Sequence, residues 1–268
     1  MSTHEVTTYR YLRLAMVLLV VALFAAVLHE VVAQGGDCLQ TSLSEYWYTP
    51  AQAVVVGSLV AIGVCMVALK GNSAHEDFAL NVAGMLAPVV ALVPTSGPGG
   101  CATVAVDAAE RAAATANNVT TLAVVGALAL VAALWLAWRR LRTRSVLGFA
   151  VMAALMGALY GWFRLGRDSF VEHAHTVAAL ALFGFIVAVV LMNAWGFAVE
   201  RSGRFTNRYA VIAALMVGTL VVLGGAALFT AWAHAVLWLE TLLIALFAVF
   251  WLLQTVELWH AGVRPRGR

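Results

Sequence analysis

The chain has 268 residues, of which 63% are hydrophobic and 11% charged, with a mean hydropathy of +0.92. A soluble domain carries about a quarter charged residues, so this composition excludes an ordinary water-soluble globule and requires a bilayer as solvent. The formal net charge of +3 does not mark a nucleic-acid protein, because no basic stripe with interleaved aromatics runs along the chain.

Eight apolar blocks follow one another: Leu14–Val32, Ala51–Leu69, Phe78–Val93, Thr120–Trp138, Val146–Phe163, Val177–Trp195, Tyr209–Phe229 and Val236–Gln254. Each is close to the ~20 residues that cross a hydrocarbon core of ~30 Å. In lipid every backbone N–H and C=O must be satisfied within its own segment, which predicts helices. The strict alternation of a barrel strand is missing. The expected fold is therefore all-α: a single polytopic transmembrane bundle of eight spans.

Lysine and arginine orient it. With the N-terminus inside, 13 of the 16 basic residues fall on inner segments, among them Arg10, Arg13, Lys70, Arg139, Arg140, Arg142, Arg144, Arg208 and Arg264. Arg111, Arg164 and Arg167 are the outer remainder. One span more or fewer would destroy this alternation, so both termini are expected in the cytoplasm and the protein in the plasma (inner) membrane. Val31-Val32-Ala33 matches a small-residue cleavage site after the first block; retention of that block is the favoured reading, given its length.

The connecting segments differ. Those expected inside are short and basic. Two outer ones are long, Ala33–Thr49 and Pro94–Asn118, and Ala102–Ala116 in the second reads as a short surface helix. Cys38 and Cys101 lie one in each, facing an oxidising compartment, and are expected to form a disulfide. Cys65, inside the second block, reads as a small packing residue. Pro88 is expected to kink the third span. Gly157-x-x-x-Gly161 in the fifth permits close approach of a neighbouring helix. Tyr46, Trp47, Tyr48, Trp162 and Trp232 at one level, with Trp135, Trp138, Trp195 and Trp259 at the other, read as aromatic belts. Asn81 and Asn193 read as interhelical hydrogen-bonding groups.

Ionisable side chains concentrate in the stretch Arg164–Thr176. Asp168, Glu172 and His175 share one face if it is helical, at i, i+4 and i+7. His29 and Glu30 at the end of the first span, and His234 and Glu240 at the start of the eighth, are predicted on the same side. Glu240 lies inside an apolar block, where an ionised carboxylate is costly and normally faces the bundle interior. These seven are the candidate ligand-cavity residues, with His29, His175 and Glu240 expected to line one cavity. Glu172-x-x-His175 has the spacing of a carboxylate-bridged di-iron pair. The matching Glu257-x-x-His260 is predicted at the opposite membrane face, so the two cannot share a metal. Zinc needs three or four ligands, for which His29, His175 and His234 are the candidates. No cofactor is predicted, with zinc or a haem held by two of these histidines as the alternatives.

The segment Ser42-Leu43-Ser44-Glu45-Tyr46-Trp47-Tyr48-Thr49-Pro50, and Leu239-Glu240 leading into a Phe/Trp-rich last span, resemble features of uncharacterised bacterial multi-span membrane proteins. That resemblance implies a shared bundle and no particular activity. The His-x-x-x-His and Ser-x-x-x-His of the seven-span zinc hydrolases of the alkaline ceramidase and adiponectin-receptor type are missing. Two classes of function follow. One is a membrane protein that binds or transports a lipid or small polar molecule through a polar outer-face cavity, or serves as an accessory subunit of a membrane complex. The other is a zinc hydrolase acting on a lipid near the outer leaflet.

Overall fold

A computed structural model of the chain describes residues 3–36, 38–95, 97, 100–101, 103–138, 143–197 and 207–264. Among these it contains eight α-helices and no strand: α1 (Thr3–Ala33), α2 (Gln52–Ala68), α3 (Ala74–Leu92), α4 (Ala108–Ala137), α5 (Thr143–Leu165), α6 (Arg167–Phe197), α7 (Arg208–Phe229) and α8 (Ala235–Glu257). A 3-10 helix, η1 (Leu43–Tyr48), lies between α1 and α2. Every apolar block is a helix. Six of the eight, all but α2 and α3, are long and apolar enough to cross a membrane.

Polar residues extend several helices beyond the apolar blocks. Of the stretch expected as a separate surface helix, the part from Ala108 to Ala116 is instead the first turns of α4, begun by Asp107, whose carboxylate accepts from the Glu110 N–H at 2.7 Å. Such an N-cap satisfies one of the four donors a helix start leaves open. The titratable run after Arg164 is likewise helical, as the start of α6. Ser73 caps α3, and Asn207 caps α7 by accepting from Tyr209 and Ala210.

Contacts run from α1 to α2, α3, α6, α7, α8 and back to α1, so six helices form a closed ring. Their inward residues make one core: Met16, Val20, Met66, Ala83, Phe170, Val190, Met216, Phe247 and Trp251 are among its members. The hairpin α4–α5 stands outside the ring, α4 against α3 and α5 against α6. It is barely buried, and Val124, Val125, Leu128, Val131, Trp135 and Leu136 are exposed along α4. An apolar surface of this extent needs lipid or a partner to cover it.

The closest helix crossing is α2 on α3. A Cβ added to Gly63 would sit 2.7 Å from the Gly84 carbonyl oxygen, and one added to Gly84 would sit 2.6 Å from the Gly63 oxygen. The chemistry of α3 explains the site. Pro88 lies inside α3 and has no N–H to give the carbonyl four residues back, which is that of Gly84. The freed oxygen rests on the Gly63 backbone, where a Cα–H can approach it. Gly157 and Gly161 do not play the expected part: a Cβ on either would meet nothing within 4 Å. Tyr46 and Tyr48 also depart from expectation. Both are fully buried against the bundle, because η1 folds inward, and they take no part in a belt. Trp135, Trp138, Trp195, Trp232 and Trp259 are exposed.

Candidate functional site

The two ends of the ring differ chemically, and the seven candidate residues belong to the end that η1 covers. Cys38 and Cys101 form a disulfide there, their Cα atoms 5.7 Å apart. Further bonds fix the covering loop. The Thr103 and Val104 N–H groups donate to the Tyr48 carbonyl, and the Tyr48 hydroxyl donates to Thr95 O at 2.8 Å. On α8, the Leu237 N–H donates to Thr41 O at 2.9 Å and His234 Nδ1 donates to Gln40 O at 3.1 Å.

Glu240 completes this stitching. One of its oxygens accepts from the N–H of Leu43 at 2.7 Å and of Ser44 at 3.4 Å, and the other accepts from the Ser44 hydroxyl at 3.1 Å. The carboxylate thus closes the N-terminus of η1, where orphan N–H groups favour an anion. Below it lies a small cavity of about 60 Å³, lined by apolar residues of α1, α2, α3, α6 and α8, with Glu240 as its ionisable member. That is room for a few waters, not for a lipid.

The other candidates do not reach this cavity. His29 is exposed although Glu30 beside it is buried; successive helix residues turn about 100°, so neighbours cannot share a face. His175 is buried against α3, its Nδ1 donating to Val93 O at 2.7 Å, and its Nε2 has no partner. Asp168 and Glu172 are exposed at the head of α6. The expected convergence of His29, His175 and Glu240 therefore fails, because His175 is pinned to a different seam and His29 faces away. Among the described residues no three His, Cys, Asp or Glu gather to hold a metal ion, His29, His175 and His234 included.

Close to Glu240, on the same cover, is a second polar group. Glu30 accepts from Gln34 Nε2 at 2.5 Å. Glu45 accepts from the Thr41 N–H and hydroxyl, both at 2.7 Å. Near them is Tyr46, buried to 1% exposure. Burial pushes the Tyr46 phenol up, and the facing carboxylates of Glu30 and Glu45 push it the same way, against the nearby Gln40 backbone.

At the opposite end the polar groups are interlocked. The Glu76 carboxylate accepts from Asn72 (N–H 2.9 Å) and from Asn193 Nδ2 (2.9 Å). Asn193 Oδ1 accepts from Gln254 Nε2 at 2.9 Å and from Asn72 Nδ2 at 3.2 Å. Arg264, beyond α8, turns back into the ring: its N–H donates to Asn72 Oδ1 at 2.8 Å and its Nη1 to Asn193 O at 3.1 Å. Its Nε lies 3.2 Å from Glu257, which also takes Arg208 Nη2 at 2.8 Å and the Tyr209 hydroxyl. Arg13 donates to Gly262 O and Arg10 to Trp259 O. Asn193 acts as the interhelical glue expected of it. The rest of the network is dispersed over six segments in sequence, and only basic residues near helix ends hinted at it.

A larger space lies outside the ring, between α2–α3 and the α4–α5 hairpin. It measures about 510 Å³ and is lined by apolar side chains including Val67, Leu130, Phe149 and Met156, with Asn81 and Tyr160 as its polar members. Along α4 it runs from Val119 to Ala133, about 20 Å at 1.5 Å per residue. The architecture is that of a membrane-type helical bundle. Compared with family models, with curated proteins and with solved structures, the chain matches none.

Proposed function

We propose that this chain is an eight-span integral membrane protein with both termini cytoplasmic, which holds a lipid acyl chain in the lateral cleft between its ring and the α4–α5 hairpin. The observation that carries the reading is the cleft itself. Its 510 Å³ falls within the ~300–1,000 Å³ of ligand sites, its walls are apolar, and its ~20 Å length exceeds the ~15 Å depth of one leaflet. A gap of this kind within a bilayer does not stay empty, since packing loses contacts wherever it faces a void. The exposed apolar face of α4 is the surface lipid would cover. The helix α2 is apolar but only 17 residues long, and α3 is largely buried in the ring; their place beside the long helices, with the bias of basic residues to one side, supports eight spans.

This reading moves the ligand from the polar end to the flank. A small polar substrate entering the ring would meet the small, apolar-walled cavity under Glu240. A zinc hydrolase needs ligands that converge, and the histidines are dispersed over separate seams. The role that fits is lipid binding, by itself or as an accessory subunit of a membrane complex. The test is lipid analysis of the purified protein by native mass spectrometry. Wild type should retain about one tightly held lipid, and Ala129→Trp, which fills the cleft, should lose it. Leu128→Trp, on the neighbouring exposed face, should keep it. Equal lipid content in all three would end the proposal.

A further inference from the structure

Asn81 differs from Asn118, Asn193 and Asn207. Those three spend their side chains on partners: Asn118 donates to Leu92 O at 2.8 Å, Asn207 donates to Ala194 O at 2.9 Å, and Asn193 bonds to Glu76, Val189 O and Gln254. The Asn81 side chain makes no hydrogen bond with any described residue, and it lines the lateral cleft between the ring and the α4–α5 hairpin. It lies seven residues beyond Ala74, the start of α3, which is about 10 Å along the axis at 1.5 Å per residue. So short a side chain cannot reach back to water from there. An amide that faces hydrocarbon without a partner is costly. The cleft walls hold no Lys, Arg, His, Asp or Glu. One turn nearer the start of α3, Asp77 is paired with Lys70 at 3.0 Å, so these two charges offset each other.

Tyr160, the other polar member of the cleft, belongs to its opposite end. Asn118 holds Leu92, and a Cβ on Gly126 would meet the Met156 side chain. These two contacts set the register of α4 against α3 and α5, with Tyr160 toward the start of α4 and Asn81 toward its end. Tyr160 is five residues from the end of α5, near the interface where a phenol is at home with water.

We infer that the lipid of this cleft is uncharged and sets an oxygen of its head against the Asn81 amide, its chain running toward Tyr160. The inference rests on the cleft being a lipid site. A phospholipid keeps its charged phosphate at the membrane surface and would lay only methylenes across Asn81, leaving the amide unmet. A diacylglycerol carries a hydroxyl and ester oxygens, and a fatty acid in its acid form carries a carboxyl. Either brings an acceptor to the amide N–H groups with no charge to desolvate. A carboxyl in an apolar site without a cation holds its proton. Asn81 is then the residue that selects the head.

The probes are dioleoylglycerol, oleic acid and dioleoyl phosphatidylglycerol. Each is offered to delipidated full-length protein in detergent and read by native mass spectrometry, in which mass tells the first two apart. We expect dioleoylglycerol or oleic acid to be retained in preference to the phospholipid. Retention should be about tenfold less in Asn81→Leu, the worth of one buried hydrogen bond, and unchanged in Tyr160→Phe. Asn81→Leu breaks no bond inside the protein and should melt with wild type, which separates lost binding from lost folding. Phospholipid held as well as the neutral lipids, or neutral lipid held equally by wild type and Asn81→Leu, overturns the inference and leaves an acyl chain in the cleft. A loss confined to Tyr160→Phe overturns it too, since the head would then lie at the other end. Equal retention in Ala129→Trp overturns the lipid site itself and this inference with it.

Discussion

The Arg264 end and the η1 end of the ring are both closed by polar groups, yet they are closed in opposite ways. At the Arg264 end the buried carboxylates meet arginines or side-chain amides. Glu257, with its side chain 2% exposed, holds both Arg264 and Arg208. At the η1 end the carboxylates have only backbone and neutral donors, and the Gln40 side-chain amide is left with none. Opposite charges fasten helices to one another at the first end; at the second, carboxylates fasten a loop to the ring through neutral donors.

Four substitutions test that contrast, from the largest expected effect to the smallest. Removing one partner of a buried pair leaves its mate uncompensated, at a cost of about 3–5 kcal/mol. Glu257→Ala should therefore give the largest fall in thermal stability of the purified protein, measured in one detergent throughout. A fall under about 1 kcal/mol would show that the Arg264 end is no fastening at all. Next comes the ring wall between the two ends. Gly63→Ala drives a methyl onto the Gly84 carbonyl and the Pro88 ring, and overpacking of this kind costs about 1–3 kcal/mol. Gly157→Ala, with open space around it, should be neutral or slightly stabilising, since alanine is the better helix former. Equal effects would mean that α2 and α3 do not cross where the backbone places them. The smallest change belongs to the η1 end. Gln40→Leu replaces an unpartnered amide by an apolar group and should alter stability by no more than about 1 kcal/mol. A large loss would show that the amide is satisfied after all.

How much of this was legible beforehand follows from physics. The eight helices were, because a run of about twenty apolar residues has one way to satisfy its backbone in lipid. The disulfide was, because two cysteines on the same side have few other fates. Helix ends were not. The polar starts of α4 and α6 carry no apolar pattern, and only capping by Asp107 and packing of Phe170 and His175 show that they continue. The ring order was not legible either, since it depends on which faces meet, and Gly63 with Gly84 look like any other glycines until they oppose each other. Glu240 was recognised as inward-facing from its apolar surroundings, but its partner, the backbone of Leu43 and Ser44, has no side-chain signature. Gln254, Asn72 and Arg264 were missed for the same reason: each is a lone polar residue whose meaning lies in a contact far away in sequence.

The bridge from Cys38 to Cys101 closes 63 residues of chain, and within that covalent loop lie α2 and α3, the pair most tightly crossed. Pulled from its two ends, the molecule cannot pay that loop out. At about 3.5 Å per residue, roughly 220 Å of contour length would be withheld in a single-molecule extraction until a reductant is added. The α2–α3 pair would leave the bilayer as one knot of chain rather than as two successive helices.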